Sequence, residues 1–174
     1  MRNTARRVSR RIQQATMLNL LSTRSSEPYQ VVNYGLGGQY NIHPDSFGYH
    51  LGTKSSRVDA QQTETSKVMG DRIMTLMIYL SSVVLGGGTV FPAAGIRTEA
   101  VRGSAVLWKN MYLDSGTPDP LSIHGGCPVA VGSKWVTNKW IHWYDQADNY
   151  PCPLKPGGPD TDTDIIQTWR RLNQ

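Results

Sequence analysis

His43 and Asp45 lie two residues apart, His124 follows far downstream, and Lys134 comes ten residues after it. Imidazole and carboxylate are donors that suit Fe(II), and a His-x-Asp pair with one remote His matches the ligand set of the two-histidine, one-carboxylate facial triad. Three protein donors leave positions open for O₂ and for an organic acid that binds through two oxygens. A lysine beyond the distal His offers an ammonium to the far carboxylate of that acid, which points to a dicarboxylic 2-oxoacid. Each residue alone has a plainer explanation: a chance His-x-Asp, a satisfied core His, a solvated Lys. The chain has only four histidines, His43, His50, His124 and His142, and the order and spacing of the set single it out.

These side chains need strands to aim them. Side chains alternate along a strand, so His43 and Asp45 are expected to enter one cavity while Ile42 and Pro44 face away. Tyr29–Tyr34 and Tyr40–Asp45 read as strands around a glycine turn, Gly35–Gly38. Arg72–Ser81, Thr89–Pro92, Ile96–Val101, Gly103–Asn110, Leu121–His124 and Lys134–Tyr144 follow, with Ile96–Val101 and Gly103–Asn110 expected to pair. On the last strand Lys134, Val136, Asn138, Trp140 and His142 share a face. Lys134 and Trp140 therefore line one cavity, and Tyr34 and Thr75 offer hydroxyls to the same buried acid.

Short strands with glycine turns predict a mainly β fold, a sandwich or a cupin-like jelly roll that binds metal in its mouth, with an N-terminal helix packed outside. The expected divisions are residues 1–27 for that helix and a linker, 28–150 for the β domain, and 151–174 for a Pro/Gly-rich tail. The helical spacing itself covers residues 1–21, and residues 160–173 read as a short helix or a frayed end. The stretch 46–70 is poor in apolar residues beyond Phe47, Tyr49 and Leu51, and reads as a lid or binding loop.

Composition narrows the function classes. The 174 residues are 39% hydrophobic and 18% charged, which fits one domain with a real core and argues against disorder. Arg2, Arg6, Arg7, Arg10 and Arg11 crowd the first helix within a net charge of +5. No nucleic-acid reader motif accompanies them, so they read as a solvated helix face. No run approaches the roughly 20 apolar residues of a membrane span, and no apolar stretch of a secretory leader opens the chain. Cys127 and Cys152 are too few for a disulfide framework or a four-thiolate zinc site; they form one bridge or remain two buried thiols.

Longer blocks carry a resemblance. Tyr34-Gly35-x-Gly37-Gly38-Gln39-Tyr40-x-x-His43-x-Asp45 closely resembles the iron-binding segment of prolyl 4-hydroxylase α subunits. Gly70-x-Arg72-Ile73-x-Thr75, Tyr79-Leu80-Ser81 and Gly87-Gly88-Thr89-Val90-Phe91-Pro92 resemble the strands that follow in that family. His124-x-x-Cys127-Pro128-Val129-x-x-Gly132-x-Lys134-Trp135-Val136-x-Asn138-Lys139-Trp140 resembles its most distinctive block. The resemblance implies a double-stranded β-helix dioxygenase that uses Fe(II), 2-oxoglutarate, O₂ and ascorbate to hydroxylate peptidyl proline at C4 in collagen-like X-Pro-Gly repeats. It implies that His43, Asp45 and His124 bind iron, and that Lys134 pairs with the C5 carboxylate of 2-oxoglutarate, supported by Tyr34, Thr75 and Trp140. Residues 46–70 become a loop over a groove for a proline-rich peptide or procollagen. Cys127 and Cys152 become a disulfide in the lumen of the endoplasmic reticulum, and protein disulfide isomerase becomes a candidate partner. The family's α subunits are several times longer, so the sequence reads as a catalytic-domain piece or a truncated gene product. It departs from the pattern at Pro44, where an aromatic residue is usual, and at Leu121-Ser122-Ile123, where basic or polar residues are usual.

Overall fold

A computed structural model describes residues 2–48, 60–113 and 115–146. The chain opens with helix α1, Arg2–Thr16. Its apolar side brings Ile12 onto a cluster of Leu18, Leu20, Ile73, Met74, Met111, Leu113 and Ile141, while Arg6, Arg7, Arg10 and Arg11 face solvent. The helix stops five residues before the expected end. Met17 turns into the left-handed region at φ 61°, and side chains take over the hydrogen bonding of the last turn. Thr16 Oγ1 accepts from Leu18 N, and Gln13 Oε1 accepts from Leu20 N. Leu18 and Leu20 are buried without being helical.

Ten strands follow among the described residues: β1 Gln30–Tyr34, β2 Tyr40–His43, β3 Arg72–Tyr79, β4 Leu85–Gly86, β5 Thr89–Phe91, β6 Ile96–Thr98, β7 Ala105–Lys109, β8 His124–Gly126, β9 Val129–Val131 and β10 Lys134–His142. They form two four-stranded antiparallel sheets, ordered β1-β10-β3-β7 and β2-β8-β5-β6, and a short β4-β9 pair. Sequence neighbours repeatedly fall into different sheets, as in a jelly roll. Ile96–Val101 and Gly103–Asn110 are therefore not a hairpin: β6 pairs with β5, and β7 pairs with β3 in the other sheet. Gly103, at φ 85°, helps turn the chain across between them. The segment Pro128–Ser133 likewise sends β9 to β4 rather than back onto β10. Leu121 belongs to a 3₁₀ turn, Pro120–Ser122, that leads into β8.

The sheets interlock through side chains. Tyr79 of β3 donates to Thr89 Oγ1 of β5 at 2.9 Å, and Phe91 of β5 packs edge-on against Trp108 of β7. Met77, Tyr79, Ala100 and Val136 make the core there, with Val32, Tyr34 and Trp108 against it.

The polar stretch 46–70 is not wholly a loop. Ala60–Met69 forms helix α2, ended by Gly70 at φ 77°, whose N–H bonds Ser66 O. Residues 49–59, the centre of the expected lid, lie outside the described residues, as do Cys152 and the whole tail expected over 151–174. No described helix is long and apolar enough to cross a membrane.

Candidate metal centre and acid pocket

The two sheets enclose a cavity of about 580 Å³. His43 ends β2 and His124 begins β8, and these two residues are register partners across the pair. Their rings lie 4.5 Å apart, centre to centre. Asp45 stands just beyond β2, because Pro44 has no N–H with which to continue a ladder. Its Oδ1 is 3.7 Å from His43 Nε2 and its Oδ2 is 3.8 Å from His124 Nε2. One donor atom from each of the three falls within 4.8 Å of the others.

Hydrogen bonding sets which nitrogen each imidazole presents. His43 Nδ1 faces Asn41 O at 2.7 Å, and His124 Nδ1 faces Ser122 O at 2.9 Å. A carbonyl only accepts, so Nδ1 carries the proton and Nε2 turns a lone pair toward Asp45. That is the arrangement a metal-binding histidine needs. Two Nε2 lone pairs and a buried carboxylate thus fit a divalent cation of the Fe(II) type. Trp108 stacks edge-on against His124, with ring centres 4.7 Å apart, and Phe91 closes the other side at 5.4 Å.

Lys134 opens β10 and is 3% exposed. Its Nζ lies 3.4 Å from Thr89 Oγ1 and above the rings of Tyr34 and Tyr79, at 5.4 and 5.5 Å. No described carboxylate forms an ion pair with it. Burial lowers its pKa to about 8, against a smaller opposing effect of Cys127. A buried ammonium without a counter-charge is costly, so this pocket fits an anion. Burial and the neighbouring Tyr40 raise the pKa of the Tyr34 phenol, which keeps it a hydrogen-bond donor.

A family model, the 2OG-Fe(II) oxygenase superfamily, matches residues 29–142, which contain all of these side chains. The chain belongs to this superfamily. Fe(II) and 2-oxoglutarate are accordingly the metal and the co-substrate of this chain. Among curated relatives, human prolyl 4-hydroxylase subunit alpha-3 is 44% identical over 131 residues, 75% of this chain and 22% of its own length. The Bos taurus subunit alpha-1 is 40% identical over 148 residues, 85% of this chain and 25% of its own. The chain thus spans about a quarter of the length of the curated relatives it matches. A viral collagen prolyl hydroxylase from Paramecium Bursaria Chlorella virus-1, solved as a truncated form, superposes with a TM-score of 0.57 at 25% identity, over 78% of this chain and 68% of that one. Its complex with 2OG superposes at 0.53, also at 25% identity, over 67% and 57%.

The remaining sequence-predicted residues of this oxygenase divide between the two ends of the cavity. Tyr34 is the register partner of Lys134 and stands beside it. Lys134, Val136, Asn138 and Trp140 line the cavity together, as alternation along β10 predicts. His142 does not join them. The register shifts between Ile141 and His142, and His142 is buried with Nδ1 on Gly70 O and Nε2 on Glu27 Oε1. Trp140 is six residues from Lys134, roughly 20 Å along the strand. It stacks on the Arg72 guanidinium, 4.0 Å from its ring centre.

Thr75, in the middle of β3, pairs with Trp140, and its hydroxyl donates to Asp45 Oδ2 at 2.7 Å. Beside the Lys134 ammonium stand the Thr89 hydroxyl and the rings of Tyr34 and Tyr79. Thr89 and Tyr79 sat inside quoted motifs, yet only the facing of β5 and β3 gives them a role. Asp71 was also not singled out. Its carboxylate accepts from the backbone N–H groups of Phe47, Gly48 and Arg72 at 2.6–2.7 Å and so pins the chain that leaves Asp45.

Proposed function

We propose that this oxygenase hydroxylates peptidyl proline at C4 in collagen-like X-Pro-Gly sequences, coupled to decarboxylation of 2-oxoglutarate to succinate and CO₂. The observation that carries the reading is the pairing of the His43–Asp45–His124 cluster with the buried Lys134 ammonium, which has no ion-pair partner among the described residues, in one cavity. Identities of 40–44% to prolyl 4-hydroxylase α subunits support proline as the target.

In this reading His43, Asp45 and His124 hold the iron. Bound there, Fe(II) supplies the redox chemistry with O₂ that oxidises 2-oxoglutarate and leaves the second oxygen atom on the proline ring. Lys134 holds the far carboxylate of the acid, with the hydroxyls of Tyr34 and Thr89 beside it. Trp108 and Phe91 wall His124 and keep water away. Tyr40, edge-on to His43 at 4.4 Å and 54% exposed, and Trp140 at the other end give an open groove aromatic sides. A proline-rich peptide arrives as a polyproline II helix and needs little ordering to lie along such a groove. Ascorbate serves as the supporting reductant, the endoplasmic reticulum lumen as the compartment, and procollagen as the natural target; these follow from the likeness to the α subunits.

The test is incubation with Fe(II), 2-oxoglutarate, ascorbate and a Pro-Pro-Gly repeat peptide. Hydroxyproline and peptide-dependent succinate are expected. Succinate released faster with a non-collagen proline peptide than with the repeat moves the substrate to another protein class, and no peptide-dependent succinate removes the activity.

A further inference from the structure

Asp45 lies past the last ladder residue of β2, so strand pairing alone does not orient its carboxylate. The opposite sheet does. Thr75 Oγ1, in the middle of β3, is 2.7 Å from Asp45 Oδ2, and Asn110 Nδ2, just after β7, is 2.9 Å from Thr75 Oγ1. Asp45, Thr75 and Asn110 are 7%, 1% and 0% exposed. The direction of this chain is forced. An ionised carboxylate only accepts, so the single hydroxyl proton of Thr75 points to Asp45. The Thr75 oxygen must then accept from its other neighbour, and Asn110 turns its amide nitrogen, not its oxygen, toward it. Asn110 Oδ1 is buried with no hydrogen-bond partner among the described residues. Leaving that oxygen unpaired is costly, and the amide nevertheless keeps the orientation that serves Thr75.

The rest of the surroundings is rigid. β3 is paired on both sides, with Trp140 of β10 and Trp108 of β7 as the partners of Thr75. Asn110 is held by its own backbone, N–H to Ile73 O and C=O to Asp119 N. A donor fixed on an inner strand can hold a carboxylate far more closely than a loop can.

We propose that Thr75 and Asn110 are positioning residues, a two-member relay from the far sheet that fixes the Asp45 carboxylate in its metal-binding orientation. The inference rests on the reading of Asp45 as a metal ligand. A hydrogen bond to one carboxylate oxygen stops the group rotating and leaves the remaining lone pairs for the cation. Partners of this kind are worth about 10- to 100-fold in metal affinity.

Anaerobic titration of the full chain with Co(II), read by its visible absorption, tests both levels without any turnover. The unaltered protein is expected to bind Co(II); if it does not, the metal-centre reading and the relay fall together. Thr75→Val keeps the shape and removes the proton, and is expected to weaken Co(II) binding about 10- to 100-fold and to shift the absorption band. Thr75→Ser restores the hydroxyl and with it the affinity, to within about threefold. Asn110→Ala is expected to weaken binding too, and to add nothing when combined with Thr75→Val, because it acts through the same hydroxyl. A folded Thr75→Val protein, judged by circular dichroism, that binds Co(II) like the unaltered one overturns the relay while leaving the metal centre standing. If Thr75→Val does not fold, Asn110→Ala decides: unchanged affinity and spectrum overturn the relay.

Discussion

A single ammonium defines one end of the cavity. Lys134 is buried against two phenol rings and a threonine hydroxyl, and its pKa is already lowered to about 8 by loss of water. An arriving carboxylate meets its counter-charge in a place with few competing dipoles, where a charge-assisted bond is strong. Truncation in Lys134→Ala is expected to cost 2-oxoglutarate about 2–4 kcal/mol of affinity, roughly 30- to 700-fold in Kd, measured by calorimetry with Mn(II) in place of iron. The sign of the pH effect follows. The binding form is the protonated one, so affinity is steady below pH 8 and declines above it, by up to about tenfold per pH unit until the bound lysine also titrates. Unchanged affinity between pH 7 and 9.5 removes Lys134 from the acid site. At the other end, His43→Ala, Asp45→Ala and His124→Ala are each expected to lower peptide-dependent succinate release by more than about 100-fold, because the cluster has no fourth protein donor among the described residues to replace one. Activity near the unaltered level in any one of them strikes that residue from the centre.

Elements bring these residues together, and how they do so explains what the sequence could and could not disclose. Alternation along β10 was legible, since a period of two needs no partner strand, and it put Lys134 and Trp140 on one face. The junction of His43 and His124 was legible only as a set of residue types; the cross-strand pairing of β2 with β8 that joins them spans 81 positions and leaves no local mark. Thr75 shows the same limit from the other side. Its place on β3 was readable, but its contact with Asp45 comes only from the facing of β3 and the segment after β2. Helix α2 was hidden because Gln, Thr, Ser and Lys dominate its sequence, so no apolar stripe at helical spacing marked it. The bulge that turns His142 out of the cavity face delivers it to Glu27, which also takes Arg72 through two nitrogens at 2.7 and 3.2 Å. Glu27 thereby ties the linker after α1 to both β3 and β10. Burial pushes its pKa up, but the hydrogen bonds and charges of His142 and Arg72 outweigh that and hold it at about 2, below the ordinary 4.5. A depressed carboxylate gives stability that is present above pH 4.5 and lost as pH falls toward 2. Glu27→Gln is expected to cost about 1–3 kcal/mol at pH 7 and to flatten that acid limb, as read from urea midpoints across pH 2–7. An equally steep acid limb in the variant places the acid sensitivity elsewhere.

At the scale of the whole molecule, the two histidines of the candidate metal centre and the buried ammonium of Lys134 come from different sheets. His43 and His124 belong to β2 and β8 in one sheet, whereas Lys134 belongs to β10 in the other, and Asp45 reaches across to β3. In the proposed reading, a cation at the cluster and an acid spanning from it to Lys134 would act as a cross-link between the two layers. Each bound alone engages fewer groups than the two together. The acid without the metal has only the Lys134 end, and the metal without the acid bridges the layers only through Asp45 and Thr75. Ligands that bind the folded chain and not the unfolded one raise stability by mass action, about 2.7 kcal/mol at a hundredfold excess over Kd. Thermal melts are therefore expected to rise slightly with Mn(II), hardly at all with 2-oxoglutarate, and by several degrees with both, roughly 2–4 °C for each kcal/mol in a domain of this size. A chelator is expected to return the melt to the ligand-free value, and Lys134→Ala to keep the metal shift while losing the extra shift from the acid. Shifts from metal and acid that simply add, or an acid shift that survives in Lys134→Ala, contradict a shared site between the sheets and place the two ligands apart.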